Sequence, residues 1–250
     1  MMALAGAAAL FGAIIGSFLT VVAYRVPRGE SIVAPRSHCV DCERQIAAYD
    51  NVPILSWIVL RGRCRHCGAK IAARYPLIEL ATALLFAGLV LLRGAHPYLW
   101  LGLPFIALMV VVAAIDLEHR IVPHRILIVA TAWVVPVALV VQTTRVPEQL
   151  IAATAAGGLL FIAVLAYPAG MGMGDVKLAA VMGLYLGRSV APALMMAFAV
   201  GAIVGIAIMI REGAAARKRA LPFAPFLALG GLVGQFVGPE IIDWYTDSFF

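Results

Sequence analysis

The feature that most constrains this chain is a series of long stretches that contain no Asp, Glu, Lys or Arg. A helix that spans a bilayer needs about 20 consecutive, mostly apolar residues. Stretches of about this length cover residues 1–24, 94–115, 126–144, 149–174, 189–210 and 220–239, and shorter ones cover 80–92 and 178–187. We therefore predict an all-α polytopic membrane protein of about eight transmembrane helices, in which the stretch over 178–187 is short for a span.

The composition supports a membrane protein and excludes several other classes. Hydrophobic residues make up 63% of the chain and charged residues 13%, against about 45–50% and about 25% in soluble domains. These values exclude disorder, collagen-like structure, coiled coil and a secreted disulfide scaffold. The net charge of +6 gives no reason to expect a nucleic-acid partner, because the positions of the positive charges explain it better.

The distribution of Lys and Arg predicts the orientation in the membrane. Cytoplasmic loops of membrane proteins are enriched in these residues. With alternating spans, sixteen of the 19 basic residues fall on one side, and only Arg93, Arg145 and Arg188 fall on the other. The richer side is predicted to be cytoplasmic, which places both termini outside. A cleaved signal peptide is the alternative for residues 1–24, but Arg25 and Arg28 follow the apolar run instead of preceding it, which favours an uncleaved span.

All four cysteines lie in one polar segment, residues 25–76. This segment is predicted to be a cytoplasmic loop between a first helix, residues 1–24, and a membrane core of about seven helices, residues 77–250. The motifs Cys39-Val-Asp-Cys42 and Cys64-Arg-His-Cys67 are separated by 21 residues.

Paired C-x-x-C motifs at this separation are typical of a tetrahedral four-thiolate zinc site, and cytosolic thiols stay reduced. A dithiol redox motif and an iron–sulfur cluster are the alternatives. Four thiolates fill the zinc coordination shell, so the predicted role of this metal is structural.

Two aspartates at the ends of apolar stretches are the candidate catalytic residues. Asp116 ends the third predicted span, and Asp175 ends the fifth in Gly172-Met-Gly174-Asp175. Both are predicted near the cytoplasmic face, where ionisable groups at membrane depth are functional candidates. Paired carboxylates can divide the work, one acting as base on a water and the other as acid toward a carbonyl. Gly172 and Gly174 are predicted to let an extended substrate approach the carboxylate.

The plainer interpretation is that each aspartate only caps a helix or pairs with a nearby cation, Arg120 or Lys177. One boundary aspartate alone would favour that interpretation. Two at one depth, one of them in a glycine-rich segment, favour a site. Glu79 is a further membrane-embedded carboxylate, for which the sequence shows no evident partner.

Together these segments resemble the type IV prepilin peptidases over nearly the whole chain. The resemblance rests on Gly16-Ser-Phe-Leu19, Tyr24-Arg-Val-Pro27, the cysteine block, Tyr49-Asp-Asn-Val-Pro-Ile-Leu-Ser-Trp57, Arg74-Tyr-Pro-Leu-Ile-Glu-Leu80, Gly172-Met-Gly-Asp175 and Pro222-Phe-Ala-Pro-Phe-Leu227. It departs from that family's pattern at Thr20, Val40 and His124, none of which is part of the proposed aspartate pair.

The resemblance implies an intramembrane aspartic protease of the bacterial cytoplasmic membrane with Asp116 and Asp175 as the catalytic pair. Family members cut prepilins or pseudopilins after a glycine at the cytoplasmic face and remove a short basic leader. Many then methylate the new N-terminal residue with S-adenosylmethionine, an activity associated with the large loop. Zinc on the four cysteines is expected for such long-loop members. The sequence shows no glycine fingerprint that would place the methyl donor.

Two rival classes remain at this point. In a proton- or metal-coupled transporter, the carboxylates would form a relay, but such groups favour the bilayer midplane and internal repeats are common. Here the carboxylates cluster at one face and no clear repeat is found. In an assembly scaffold organised by the zinc loop, both aspartates would be dispensable.

Overall fold

A computed structural model of the chain describes residues 1–167, 171–212 and 221–249. In these residues the regular structure is helical, and the strand-like pairing consists of two isolated bridges, His38 with Gln45 and Arg63 with Lys70. The helices are α1 (Met2–Arg25), α2 (Leu55–Val59), α3 (Arg74–Arg93), α4 (Leu99–His119), α5 (His124–Val141), α6 (Val146–Ala166), α7 (Met173–Leu186), α8 (Val190–Glu212) and α9 (Ala224–Phe249). Short 3-10 turns lie at Val26–Arg28, Ala48–Asp50, Thr143–Arg145 and Gly187–Ser189.

Among the described residues, seven helical segments are long and apolar enough to cross a membrane. The prediction of an all-α, multi-pass membrane protein is therefore confirmed. The predicted short span over residues 178–187 corresponds to α7. The 14 residues of this helix extend about 21 Å at 1.5 Å per residue, which is less than the thickness of the hydrocarbon core, about 30 Å. It continues through the turn at Gly187 into α8, so that the two helices form one apolar segment, Met173–Arg211.

The first of two compact units is Met1–Leu99, and its helices α1 and α3 pack directly against each other. A Cβ atom on Gly12 would lie 2.8 Å from the Thr82 carbonyl oxygen, and one on Gly16 would lie 2.7 Å from the Cα atom of Glu79. Both glycines therefore permit backbone contact between the helices, as small residues do in membrane proteins. The polar loop that contains the cysteines connects these two helices.

The second unit, Trp100–Phe250, has its core around α4. Phe105, Ile106, Met109 and Ile115 of this helix are fully buried. Helix α7 packs on α6 so closely that a Cβ atom on Gly183 would lie 2.5 Å from the backbone of Ala153. Further close contacts join α9 to α8, α4 and α7 through Gly230 and Gly231. These contacts fix the ends of α4, α7 and α9, where the candidate site lies.

Candidate active site and cysteine centre

Asp116 lies in the last turns of α4, and its side chain is buried, with 5% exposed. Its Oδ2 accepts a hydrogen bond of 3.1 Å from the backbone N–H of Ala224. Ala224 is the first residue of α9, so that its N–H is one of the helix donors without an intrahelical acceptor. A carboxylate in this position is also favoured by the partial positive charge of the helix N-terminus.

Asp175 lies in the first turn of α7 and is 8% exposed. Its Oδ2 accepts a hydrogen bond of 3.1 Å from the backbone N–H of Gly172, and its own N–H donates to the Gly172 carbonyl oxygen at 3.1 Å. This reciprocal arrangement caps the helix. Both aspartates are thus held by main-chain donors at helix N-termini, one locally and one from a distant segment.

The ends of α4 and α7 that contain the two aspartates lie in the same unit, and Gly174, next to Asp175, packs against Val122 in the loop after α4. Neither aspartate forms an ion pair within the part of the chain that the structure describes. The Lys177 Nζ lies 3.0 Å from His124 Nε2. Each carboxylate uses Oδ2 for its backbone donor, and Oδ1 has no hydrogen-bond partner among the described residues. The plainer interpretation holds in part, since both side chains cap helices, but one oxygen of each is left available.

The two glycines before Asp175 have different surroundings. A Cβ atom on Gly174 would lie 2.8 Å from the Cβ atom of Val122, in the loop after α4, so this glycine allows close packing against that loop. Among the described residues, a Cβ atom on Gly172 would meet Asp175 Oδ2 and the Gly174 nitrogen, both at 3.8 Å. Gly172 has an extended backbone. Space beside an extended chain is therefore found at Gly172, while Gly174 joins α7 to the segment that follows Asp116.

Two contacts at carboxylates were not foreseen from the sequence. The donor to Asp116 is an alanine N–H, which no side-chain pattern signals, although it belongs to the Pro222-Phe-Ala-Pro-Phe segment that the resemblance singled out. Glu79, expected to have no evident partner, has one. Its Oε2 accepts a 2.7 Å hydrogen bond from the backbone N–H of Ile54.

The contact at Glu79 anchors the polar loop to the membrane helices of the first unit. Glu79 is buried in α3, with 8% exposed, and Ile54 precedes α2 with a positive φ of 63°. A β-branched residue in this conformation is strained, and the bond to the buried carboxylate helps to hold it there. Within the loop itself, the indole of Trp57 in α2 donates to the Ile71 carbonyl oxygen at 3.1 Å.

The four cysteines come together as predicted. One sulfur atom from each of Cys39, Cys42, Cys64 and Cys67 lies within 4.8 Å of all the others, and the Cys39 and Cys67 sulfurs are 3.8 Å apart. A tetrahedron of sulfurs about 2.3 Å from a zinc ion has an edge of about 3.8 Å. The set of soft thiolate donors at this spacing fits a tetrahedral metal ion.

Both C-x-x-C motifs form the same kind of tight hairpin. Cys39 N–H donates to the Arg44 carbonyl oxygen and Cys64 N–H to that of Ala69, and the carbonyl oxygens of both cysteines accept from Glu43 and Gly68. Glu43 and Gly68, which directly follow the second cysteine of each motif, have φ values of 56° and 73°. Backbone N–H groups of Cys67 and His66 lower the pKa of the Cys64 thiol to about 7, which favours the thiolate that a metal requires.

A surface ion pair ties the second hairpin to the rest of the loop. Arg65 donates two hydrogen bonds, of 2.8 and 2.6 Å, to the carboxylate of Asp50. This guanidinium holds the pKa of Asp50 below its usual value. Arg65 also lies over the ring of Tyr49, at 5.6 Å from its centroid. The segment that contains Tyr49 and Asp50 is therefore held against the second cysteine hairpin.

Comparison with known proteins agrees with the resemblance. Residues 10–92 match the bacterial peptidase A24 N-terminal domain and residues 103–210 match the type IV leader peptidase family. The first match contains the four cysteines, and the second contains both aspartates. No solved structure matches this chain.

Several proteins named prepilin leader peptidase/N-methyltransferase are similar to this chain over most of its length. That of Bacillus subtilis (strain 168) is 37% identical over 239 residues, which cover 94% of this chain and 95% of the relative. That of Aeromonas hydrophila is 32% identical over 270 residues, with 96% and 93% covered. That of Burkholderia pseudomallei (strain 1026b) is 36% identical over 266 residues, with 92% and 84% covered. The predicted kinship is thereby confirmed: the chain belongs to the type IV leader peptidase family.

Proposed function

We propose that this protein is a membrane-embedded aspartic endopeptidase that removes the basic leader of type IV prepilins or pseudopilins and then methylates the new N-terminus. Asp116 and Asp175 are the catalytic pair of the first reaction. The observation that supports this assignment best is that both buried carboxylates are held through Oδ2 by a backbone N–H, while Oδ1 has no partner among the described residues.

The pair has what peptide hydrolysis requires. Because two nearby carboxylates resist simultaneous ionisation, one is charged and the other keeps a proton. The charged carboxylate takes a proton from water as its oxygen attacks the scissile carbonyl carbon, and the protonated one donates to the carbonyl oxygen. The C–N bond then breaks and the leaving nitrogen takes up a proton. The products are a leader with a terminal carboxylate and a mature chain with a free amine.

The cysteine centre supports the second activity by ordering the polar loop. Cys39, Cys42, Cys64 and Cys67 would hold a zinc ion, which has no open coordination position and so organises the backbone without taking part in chemistry. S-adenosylmethionine supplies the methyl group when it is bound. Leader removal must precede methylation, because the amine that receives the methyl group is created by the cleavage.

The proposed location of this chemistry is the cytoplasmic face of the bacterial inner membrane, a location supported by the basic loops, because cytoplasmic loops are enriched in Lys and Arg. We assign residues 25–76 to a cytoplasmic loop between a first helix, residues 1–24, and a membrane core, residues 77–250. The count of basic residues on that side includes Arg217, Lys218 and Arg219, which lie outside the described residues. A prepilin has a basic leader followed by an apolar helix, so that its cleavage point also lies at this face.

The decisive experiment is to co-express a prepilin with the Asp116→Asn or Asp175→Asn variant of this protein. The intact mass of the pilin is then measured. Asparagine keeps the size of the side chain but cannot exchange a proton as a carboxyl group does. General acid–base catalysis contributes about 10²–10⁴-fold, so cleavage is expected to fall by at least about a hundredfold in each variant. Full retention of cleavage by either purified variant would contradict the assignment.

Asp243→Asn is the matched control. Asp243 is an exposed aspartate of α9, paired with Arg188 at 3.1 Å, and its carboxylate has no role in the proposed chemistry. We expect wild-type cleavage from it. The same masses report methylation, since a cleaved but unmodified pilin would restrict the enzyme to proteolysis.

A further inference from the structure

A cavity in the first unit is not used by the proposed peptidase reaction. It lies where α1 ends and the first cysteine hairpin begins, and its volume is about 650 Å³. Small-molecule sites are commonly about 300–1,000 Å³. Side chains that line it include Tyr24, Arg36, Val40, Glu43 and Gln45. We infer that this cavity is the binding site for the methyl donor S-adenosylmethionine, an inference that rests on the methyltransferase activity proposed above.

Three side chains of the lining suit parts of such a ligand. S-adenosylmethionine has a sulfonium cation, an ammonium, a carboxylate, ribose hydroxyls and a flat base. A carboxylate such as Glu43 accepts from ribose hydroxyls or an ammonium, and a guanidinium such as Arg36 pairs with a carboxylate. The ring of Tyr24 provides a π-face for the cation or the base. A purely apolar cavity would not offer this combination of charged and aromatic side chains.

The walls of the cavity are held in place by specific bonds. Arg25 is buried, with 6% exposed, and its guanidinium donates to the Ser31 and Pro35 carbonyl oxygens at 2.8 and 2.7 Å. These bonds hold the segment from Ser31 to Pro35 against the end of α1. On the other side, Ile46 N–H donates to the Ser37 carbonyl oxygen, which closes the hairpin that presents Glu43.

Glu43 has a left-handed backbone conformation, which glycine adopts more readily. The equivalent residue of the second hairpin is Gly68, and both have positive φ. A residue with a side chain in the left-handed region is disfavoured by about 1–2 kcal/mol, and such outliers cluster at ligand sites. The first hairpin keeps a carboxylate at this strained position, and that carboxylate lines the cavity. The same position in the second hairpin has no side chain.

The location suits a reaction on a newly formed N-terminus. Tyr24 is near the end of the first candidate span, Met2–Arg28, so the cavity lies where a membrane helix leaves the bilayer. The mature pilin begins with its apolar helix, and its amine therefore lies at the same kind of boundary. The amine nitrogen attacks the methyl carbon, the S–CH₃ bond breaks and its electron pair stays on sulfur, leaving S-adenosylhomocysteine. The nitrogen then releases a proton to water.

The test is calorimetric titration of the purified full-length protein with S-adenosylhomocysteine, together with Glu43→Gln and Glu43→Gly. Loss of the carboxylate is expected to weaken binding by about tenfold or more, since hydrogen bonds to charged groups contribute about 1.5–3 kcal/mol. Zinc content and prepilin cleavage are expected to be unchanged. Asp41→Asn is the matched control, because this exposed acid of the same hairpin does not line the cavity, and it should bind as the wild type does.

Glu43→Gly separates binding from folding. If Glu43 were only structural, replacing it by the glycine used at the equivalent position would leave binding unchanged or improved, and that outcome would overturn the site. Wild-type affinity in Glu43→Gln would overturn it as well. A wild-type protein that cleaves prepilin but shows no affinity for S-adenosylhomocysteine would instead contradict the proposed methyltransferase activity itself.

Discussion

The polar loop and the second unit differ in what keeps them folded. Between residues 26 and 73 the only buried residue is Gly62, whereas α4 alone contributes Phe105, Ile106, Met109 and Ile115 to the core of the second unit. A segment without an apolar core needs another source of order, as small metal-binding domains do. The comparison indicates that the cysteine centre holds the loop together, while helix packing holds the site of the two aspartates.

The sharpest way to break this comparison is to replace the cysteines that are proposed to bind zinc. Cys39→Ser and Cys64→Ser are each expected to abolish stoichiometric zinc, because three thiolates leave the coordination shell incomplete. The loop should then become sensitive to limited proteolysis and methylation should be lost, while prepilin cleavage persists. Metal analysis and intact-mass measurement of the pilin check these results. A protein that is folded and active in both reactions without zinc would show that the loop has another source of order.

The second unit offers a complementary experiment at a single main-chain donor. Ala224→Pro deletes the N–H that bonds to Asp116 and places proline at the first position of α9, where helices tolerate it. We expect the cleavage rate to fall by about ten- to a hundredfold, as expected for the loss of a hydrogen bond to a charged group. Helix content and binding of S-adenosylhomocysteine should be unchanged. Ala228→Gly, one turn further along α9, provides a control for general perturbation of the helix.

Glu79 connects the loop to α3, and its replacement tests how far the two parts of the first unit depend on each other. Glu79→Leu leaves the Ile54 N–H without its acceptor, at a cost of about 1–3 kcal/mol. Amide hydrogen exchange in residues 54–58 is expected to accelerate by about tenfold. Glu79→Gln keeps an oxygen acceptor and should retain most of the protection. Equal exchange in both variants and the wild type would show that this bond does not hold the loop.

The smallest effect is expected at the exposed ion pair between Arg65 and Asp50. Exposed pairs contribute little, and salt screens them, so Arg65→Gln should speed zinc release to a chelator by no more than a few-fold. The difference from the wild type should shrink in 1 M salt. Lys70→Gln, which removes a charge from the same hairpin, is the control. A large effect that does not change with salt would point to packing on Tyr49 and away from the charge.

The helices and the cluster of four cysteines could be predicted because each depends on local patterns. Uncharged length predicts spans, and two C-x-x-C motifs predict a shared centre. The bond from Ala224 to Asp116 joins residues 108 positions apart, and the donor is a backbone group that every residue except proline possesses. The bond from Ile54 to Glu79 could not be predicted from the sequence either. Neither hydropathy nor spacing indicates that the backbone N–H of a strained isoleucine donates a hydrogen bond to a buried acid. The sequence misplaces the start of α7 for another reason. The uncharged stretch 149–174 extends beyond the end of α6 at Ala166, so that the sequence predicts Asp175 at the end of the fifth span, whereas it lies in the first turn of α7.

The main-chain donors to the two aspartates also affect how genetic variation at this site should be understood. At positions 172 and 224, every substitution except proline leaves the backbone N–H in place. The effects measured in a scan of single substitutions would therefore depend on whether the new side chain fits sterically. The hydrogen bonds themselves would pass unnoticed. Proline scanning, or replacement of an amide by an ester through chemical synthesis, would detect them. Inherited variation can therefore alter much around the carboxylates while the two bonds that orient them persist.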